Sequence, residues 1–287
     1  MKILITGKNS YIGNSVKVWL KIKEHFFTVD EISLKDIDLK KISFKDYDVV
    51  FHVAGIAHIS SNKKLISEYY RINRDLAIEV AKKAKEEGVR QFIFTSSMAI
   101  YGNDRPIGDF RPIDIYNPSP TNAYGKSKLD ADLTIQKLQN ESFNVSILRL
   151  PIVYGKLAKG NFPKLEDISK KFSIFPRVKN VRSVLQINNL SELVRLIIIN
   201  KLNGVFFPQD KTYFNTNDFI LNNRSSLGKK TLFVPFLSFP LKFFSLFFQP
   251  INKIYGNKYY QSNLSTISNY NYQLFSIDDY IKEINAI

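Results

Sequence analysis

The 287-residue chain predicts an α/β fold: a doubly wound, mostly parallel sheet followed by a smaller C-terminal lobe. Three observations predict it. Strand-like and helix-like segments alternate through residue 150. A glycine turn joins the first strand to the first helix. The polar residues suited to chemistry fall just beyond strand ends, where sheets of this kind hold their ligands.

The elements follow in order. Residues 2–6 form a short apolar run that ends in glycine, the pattern of a buried parallel strand. Residues 14–23 place Val16, Val18, Trp19, Leu20 and Ile22 at helical spacing. Residues 26–32 and 48–53 read as the second and third strands, the latter running into Ala54-Gly55. Residues 72–87 make an amphipathic helix stopped by Gly88, and 91–95 a fourth strand. Residues 122–138 read as a helix and 145–150 as a further strand. Beyond residue 150 the alternation loosens into loops rich in lysine, glycine and proline, with one clear helix at 190–200. Residues 1–155 are therefore expected to form the core, with 183–202 returning to it and the rest of 156–287 forming the lobe.

Composition narrows the function. The chain has no cysteine and only three histidines, His25, His52 and His58. Disulfides and thiolate metal sites are excluded, and the spacing of His52 and His58 fits no common zinc pattern, so no metal is expected. The formal charge of +15 comes from lysines spread over solvated faces such as residues 81–90, without a dense basic run interleaved with aromatics. No nucleic-acid partner is expected; the field instead suits an anionic small molecule. The first residues lack the long apolar stretch of a leader, so the expected compartment is cytoplasmic. Residues 231–250 are rich in phenylalanine and leucine, but Pro235, Pro240 and Lys242 interrupt them. That argues against a spanning helix and favours a helix packed on the lobe, with a weak peripheral membrane contact as the alternative.

Gly7-Lys8-Asn9-Ser10-Tyr11-Ile12-Gly13 lies between the first strand and the first helix. In that context the backbone N–H groups and the helix N-terminus face a pyrophosphate, as in Rossmann-type dinucleotide sites. Gly7 serves the tight turn and Gly13 the helix–strand packing; Ser10 stands where glycine gives the closest approach. A ribose-binding acid is expected about 20 residues on. Asp30 and Glu31 fall there, yet a strand running to Ile32 would put Ser33 and Lys35 at its tip, a pairing suited to the 2′-phosphate of NADP. The cofactor is thus NAD(P), with the choice open.

Tyr124 and Lys128 stand four residues apart on one helix and share a face. Free tyrosine titrates near 10, and lowering that by roughly 3 units takes about 4 kcal/mol, which a neighbouring ammonium and a cationic nicotinamide together are suited to supply in a dry site. The fourth strand ends in Thr95-Ser96-Ser97-Met98, where a hydroxyl orients a reacting oxygen against the phenol. Turn, serine-tipped strand and Tyr/Lys helix, in that order, specify more than any one of them.

These residues resemble the extended short-chain dehydrogenase/reductase family over about residues 1–200, in particular its nucleotide-sugar epimerases, dehydratases and 4-keto reductases. The resemblance implies a catalytic triad of Ser97, Tyr124 and Lys128. It implies cofactor contacts at Gly7, Ser10, Tyr11, Ile12, Gly13, Val53, Ala54, Gly55, Asn73, Tyr124, Lys128 and Pro151, with Lys128 holding the ribose and Ser33 and Lys35 added from the strand tip. It implies substrate contacts at Ser97, Met98, Tyr124, Asn161 and Arg182, the last on a diphosphate. It also implies a homodimer through the helices at 73–87 and 122–138. His52-Val53-Ala54-Gly55 resembles the family's third-strand cofactor segment, and Arg149-Leu150-Pro151-Ile152 its strand beside the nicotinamide.

Three departures refine this picture. Met98-Ala99 stand where the 4,6-dehydratases carry Asp-Glu, so the acid/base pair for water loss is missing. Ile152 replaces a sugar-facing asparagine, and the C-terminal lobe is shorter than in hexose epimerases. Lys159-Gly160-Asn161-Phe162-Pro163 and Phe175-Pro176-Arg177 are similar to enzymes of bacterial surface-polysaccharide synthesis. The expected activity is therefore reduction of a UDP-4-keto-6-deoxy-N-acetylhexosamine. The alternatives are a UDP-hexose or UDP-N-acetylhexosamine 4-epimerase with retained NAD, and a non-catalytic dinucleotide sensor on the same fold.

Overall fold

The computed structural model describes residues 1–35, 38–57, 63–267 and 270–286. His58 lies outside the described residues. Six parallel strands form the central sheet in the order β2-β1-β3-β4-β5-β9. These are β1 Lys2–Thr6, β2 Thr28–Ile32, β3 Val49–His52, β4 Gln91–Ser97, β5 Asn144–Leu150 and β9 Gly204–Phe206. Their near-continuous Val/Ile/Leu/Phe content is what a sheet covered on both faces requires. The strand order reverses between β1 and β3, which opens a crevice beyond their carboxyl ends.

Helices cover both faces. On one, α1 (Tyr11–Lys23) and α6 (Ile187–Ile199) pack with Ile3, Ile5, Phe51 and Leu148 around Leu20, Leu190 and Ile197. On the other, α3 (Ala77–Glu86) and α4 (Ala123–Gln136) bury Val80, Ala84, Ala131 and Ile135 against Leu4, Val50, Phe92 and Ile147. The helix expected from residue 72 begins earlier, as α2 (Lys63–Tyr69), and reaches α3 through a π-helical turn, Tyr70–Leu76. That wider turn carries the buried Asn73 towards the loop after β3. The returning segment extends past residue 202, because β9 pairs with β5.

The lobe has its own small core. Tyr154, Phe162, Phe214, Phe219 and Tyr280 cluster there, with Tyr154 stacked on Phe162 at 4.7 Å between centroids. Two short parallel ribbons frame it. One pairs β6 (Ile152–Tyr154) with β8 (Val184–Gln186); the other pairs β7 (Ile174–Pro176) with β10 (Leu232–Val234). Helices α5 (Asn161–Lys171), α7 (Thr216–Ser226) and α10 (Ile277–Asn285) complete it. Residues 231–250 are not one packed helix. They form β10, a 3₁₀ turn, α8 (Ser238–Ser245) and the start of α9 (Gln249–Tyr255), with most of their apolar side chains exposed. Among the described residues no helix is long and apolar enough to cross a membrane.

Candidate active site

The glycine turn sits at the strand-order reversal. Gly7 has φ +117°, and a Cβ there would lie 2.9 Å from the Ala54 nitrogen, so only glycine lets the turn after β1 pass the loop after β3. Ser10 caps α1: its hydroxyl oxygen accepts from the Gly13 N–H at 3.1 Å, which leaves its own proton free to donate. Tyr11 and Ile12 begin the helix, so their backbone N–H groups belong to the unpaired first turn. The Tyr11 ring turns away into the core beside Gly155, where its hydroxyl has no hydrogen-bond partner among the described residues and burial raises its pKa. Val53 is tied to β1 through its N–H to the Thr6 carbonyl at 3.0 Å.

The tip of β2 meets this turn directly, since the Gly7 and Lys8 N–H groups donate to the Ile32 carbonyl at 2.9 and 3.0 Å. The strand does end at Ile32. Asp30 accepts from Tyr47 at 2.9 Å and Glu31 pairs with Lys17, so both acids are engaged within β2. Ser33 follows at the tip, its oxygen accepting from the Lys35 N–H at 3.2 Å, and Lys35 is exposed. These features fit a dinucleotide: a turn without side-chain bulk, a free first helical turn, and a hydroxyl and a cation where the adenosine ribose would lie.

His52 is a core residue. It is fully buried between Phe92 and Phe94, shares a 2.7 Å hydrogen bond with the Thr6 hydroxyl, and is pushed down to about 3 by burial. The imidazole is therefore neutral.

The hydroxyl and phenol of the triad are brought together by close packing. Ser97 ends β4 and caps the 3₁₀ turn Met98–Tyr101, accepting from the Ala99 N–H at 3.1 Å. Asn122 caps α4 by accepting from Gly125 at 2.9 Å. A Cβ at Gly125 would lie 2.6 Å from the Ala99 carbonyl oxygen, so α4 seats its first turn directly on the turn after Ser97. Tyr124 thereby comes close to the Ser97 hydroxyl and meets Tyr69 edge-on at 6.2 Å.

The electrostatics differ from the sequence expectation. Burial, not Lys128, dominates the phenol: Tyr124 lies above its ordinary range, Ser97 offsets part of the rise, and Tyr69 adds to it. Lys128 is itself pushed down to about 8 by burial. Its ammonium donates to the Thr95 carbonyl at 2.8 Å and lies over the Phe94 ring at 4.7 Å. Asn73 grips the chain after β3 from both sides, accepting from the Ile56 N–H and donating to the Ile56 carbonyl, each at 2.9 Å. Gly55 lies between the two groups. A Cβ there would sit 3.0 Å from the Asn73 amide oxygen and 3.4 Å from the Lys128 ammonium.

A buried ion pair holds this arrangement from beneath. Asp132 on α4 accepts from Arg149 on β5 at 3.0 Å through both oxygens and from Ser96 on β4 at 2.6 Å. Arg149 also donates to Tyr101 at 2.7 Å. It therefore braces the site instead of lining it. Asp132 escaped the sequence reading, because its partners lie 17 and 36 residues away and no local pattern marks it.

Ser97 and Met98 open onto a cleft of about 480 Å³, which Pro151, Ile152, Asn161 and Arg182 also line. Arg182 is nearly buried. It donates to Asp104 at 3.0 Å and to the carbonyls of Asn252 and Gly256 at 2.8 and 3.2 Å. Lys258, beside the same carboxylate at 3.8 Å, is pushed down to about 8 by burial. Lys253 and Gln249 of α9 join this wall. Asp104, Lys253 and Lys258 went unnoticed in the sequence, since they meet only through long-range folding. A second cavity, about 300 Å³ beside Met1, Asp48 and Arg90, is lined by none of these residues.

Comparison with known proteins matches residues 3–192 to the NAD dependent epimerase/dehydratase family. The UDP-glucose 4-epimerase of Vibrio cholerae is 28% identical over 257 residues, 81% of this chain and 78% of that protein. The N-acetyl-alpha-D-glucosaminyl-diphospho-ditrans,octacis-undecaprenol 4-epimerase of Escherichia coli O157:H7 is 26% identical over 284 residues, 91% of this chain and 83% of that protein. A dTDP-4-dehydrorhamnose reductase from Clostridium acetobutylicum has the same fold, with a TM-score of 0.72, 20% identity and 99% of each chain covered. With more than half its length matched and the glycine turn seated at the sheet's switch point, the chain belongs to the NAD dependent epimerase/dehydratase family.

Proposed function

We propose that the protein is an NAD(P)-dependent oxidoreductase acting at carbon 4 of a sugar carried on a diphosphate. The observation that carries this reading is the cleft itself. Ser97, with Tyr124 close behind it, opens onto the cleft, which Arg182, Lys253 and Lys258 also line. The bound NAD(P) supplies the redox chemistry. Tyr124 moves a proton at the sugar's O4, and Ser97 holds that oxygen against the phenol. A charged Lys128 favours the phenolate, offsetting the burial that raises it. The basic wall holds the diphosphate, with Arg182 already fixed by Asp104.

Two finer readings have separate support. Two relatives that span four fifths or more of the chain are named 4-epimerases, the Escherichia coli one for an undecaprenol-linked diphospho-sugar. A wall that recognises the diphosphate accepts either carrier. The reductase of a UDP-4-keto-6-deoxy-N-acetylhexosamine is favoured by Ser33 and Lys35 at the tip of β2, which suit an exchangeable NADP. A silent dinucleotide sensor has no use for the Ser97–Tyr124 pair. Incubation with UDP-hexoses, UDP-N-acetylhexosamines and a UDP-4-keto sugar, with and without NADH or NADPH, separates these readings. An epimerase interconverts substrates without added coenzyme, and a reductase consumes it stoichiometrically. Absence of turnover under every condition overturns the enzymatic reading. A homodimer through α3 and α4 belongs to the same proposal, and sedimentation velocity tests it.

A further inference from the structure

The side chains of residues 236–248 form an apolar platform that the protein's own core does not use. Phe236, Phe239, Phe243 and Phe247 are 79%, 81%, 57% and 68% exposed, and of α8 only Ser245 is buried. The rings pack on one another: Phe243 on Phe244 at 5.6 Å, Phe243 on Phe247 at 5.7 Å and Phe244 on Phe248 at 6.0 Å. Exposed aromatic area this contiguous marks a surface that meets something.

Charge identifies the occupant. Residues 219–277 contain no aspartate or glutamate, and within them Lys229, Lys230, Lys242 and Lys253 are exposed, whereas Arg224 and Lys258 are spent inside the lobe and the cleft. A second copy docked by two-fold symmetry would bring these exposed lysines against their own counterparts. An anionic bilayer complements it: lysines meet the headgroups while the phenylalanines enter the acyl boundary. No described helix crosses a membrane, so the contact would be with one leaflet's surface.

The platform is also fastened to the cleft. The Ser245 hydroxyl accepts from Ile107 at 3.2 Å, the Asn252 amide donates to the Ser245 carbonyl at 2.7 Å, and Arg182 donates to the Asn252 carbonyl at 2.8 Å. α9 follows the last of the exposed phenylalanines directly and presents Gln249 and Lys253 to the cleft.

We infer that this platform is a bilayer-docking surface that sets the diphosphate wall of the cleft at the level of anionic headgroups. The inference stands apart from the reaction, because binding is read without substrate.

The test is co-sedimentation of the full chain with vesicles of phosphatidylethanolamine and phosphatidylglycerol at 3:1. Phosphatidylcholine vesicles are the control, at low and high salt. The protein is expected to bind the anionic vesicles at least tenfold more tightly, less so at high salt, and Phe243→Ser/Phe247→Ser to lose at least tenfold. In Phe239→Trp, added vesicles should move the new indole's emission to the blue relative to the parent, a reading that needs no disruptive substitution. Failure of the parent to bind, equal binding by the double variant, or an unshifted indole would each overturn the inference. So would a parent dimer that Phe243→Ser/Phe247→Ser dissociates in the absence of any vesicle binding. Tyr124→Phe should bind vesicles like the parent, which keeps this result separate from the proposed catalysis.

Discussion

The carboxyl ends of the sheet and the C-terminal lobe are built by different means. At the sheet ends, regular strands place the polar groups, and one buried carboxylate, Asp132, links α4, β4 and β5. In the lobe, side chains hold irregular backbone. Arg224 donates to the carbonyls of Ser169, Phe172 and Lys230 and to the hydroxyls of Thr231 and Ser173. Asn189, at the start of α6, ties the lobe to the sheet's helical cover by bonding Asp210 and the backbone of Leu274 and Phe275. The sheet ends fix the geometry of reacting groups, whereas the lobe fixes the shape of a wall. Chemistry and stability should therefore respond differently to substitution in the two regions.

Four expected outcomes probe that difference. Tyr124→Phe should lower turnover by about 10²- to 10⁴-fold while leaving the dissociation constant for NAD(P) within a few-fold, read by stopped assays and fluorescence titration. Undiminished turnover would move the chemistry elsewhere. Asp132→Asn leaves Arg149 buried without its charge partner, so it should cost about 3–5 kcal/mol in urea unfolding and also reduce turnover, because Tyr124 and Lys128 ride on the same helix. Arg224→Met strands several lobe carbonyls and should cost roughly 2–3 kcal/mol, with cofactor affinity unchanged. Equal loss of cofactor affinity in both variants would erase the distinction between the regions.

The fourth outcome concerns pH. Burial holds Lys258 at about 8, below its ordinary value near 10.4, so between these limits the unfolded chain binds more protons than the folded one. Stability should therefore rise with pH across that window. The rise in urea midpoint from pH 7.5 to 9.5 should be smaller in Lys258→Met. Lys128, held at about 8 for the same reason, adds in the same direction, and its loss of charge should slow turnover above pH 8. A rise of the same size in Lys258→Met would show that its ammonium is not desolvated.

The two regions also differed in legibility. The apolar runs of β1, β3, β4 and β5 are short, and glycine or turn residues bound them, so local pattern alone locates them. Ser97, Tyr124 and Lys128 could be read because spacing on one helix and the end of one strand are local facts. The edge strand β9 is only three residues long and is defined by its pairing with β5, so periodicity could not reveal it. The π-helical turn at Asn73 has no composition signal, and the earlier helix start follows from packing against α4. The burial of the Tyr124 phenol is illegible for a related reason: sequence shows which charge is four residues away, but not how much solvent the fold removes. Asp104, Arg182 and Lys258 meet across some 78 and 154 positions, a separation only tertiary structure can close.

The two neighbours of Gly55 cannot retreat cheaply, since Asn73 is committed to both backbone groups of Ile56 and Lys128 to the Thr95 carbonyl. One added methyl at this position would crowd the Asn73 amide oxygen and reach the Lys128 ammonium at ordinary contact distance. The absence of a side chain here therefore does two jobs: it keeps the clasp on Ile56 seated and leaves the ammonium its room, so a conservative-looking replacement is felt first in the placement of the loop after β3.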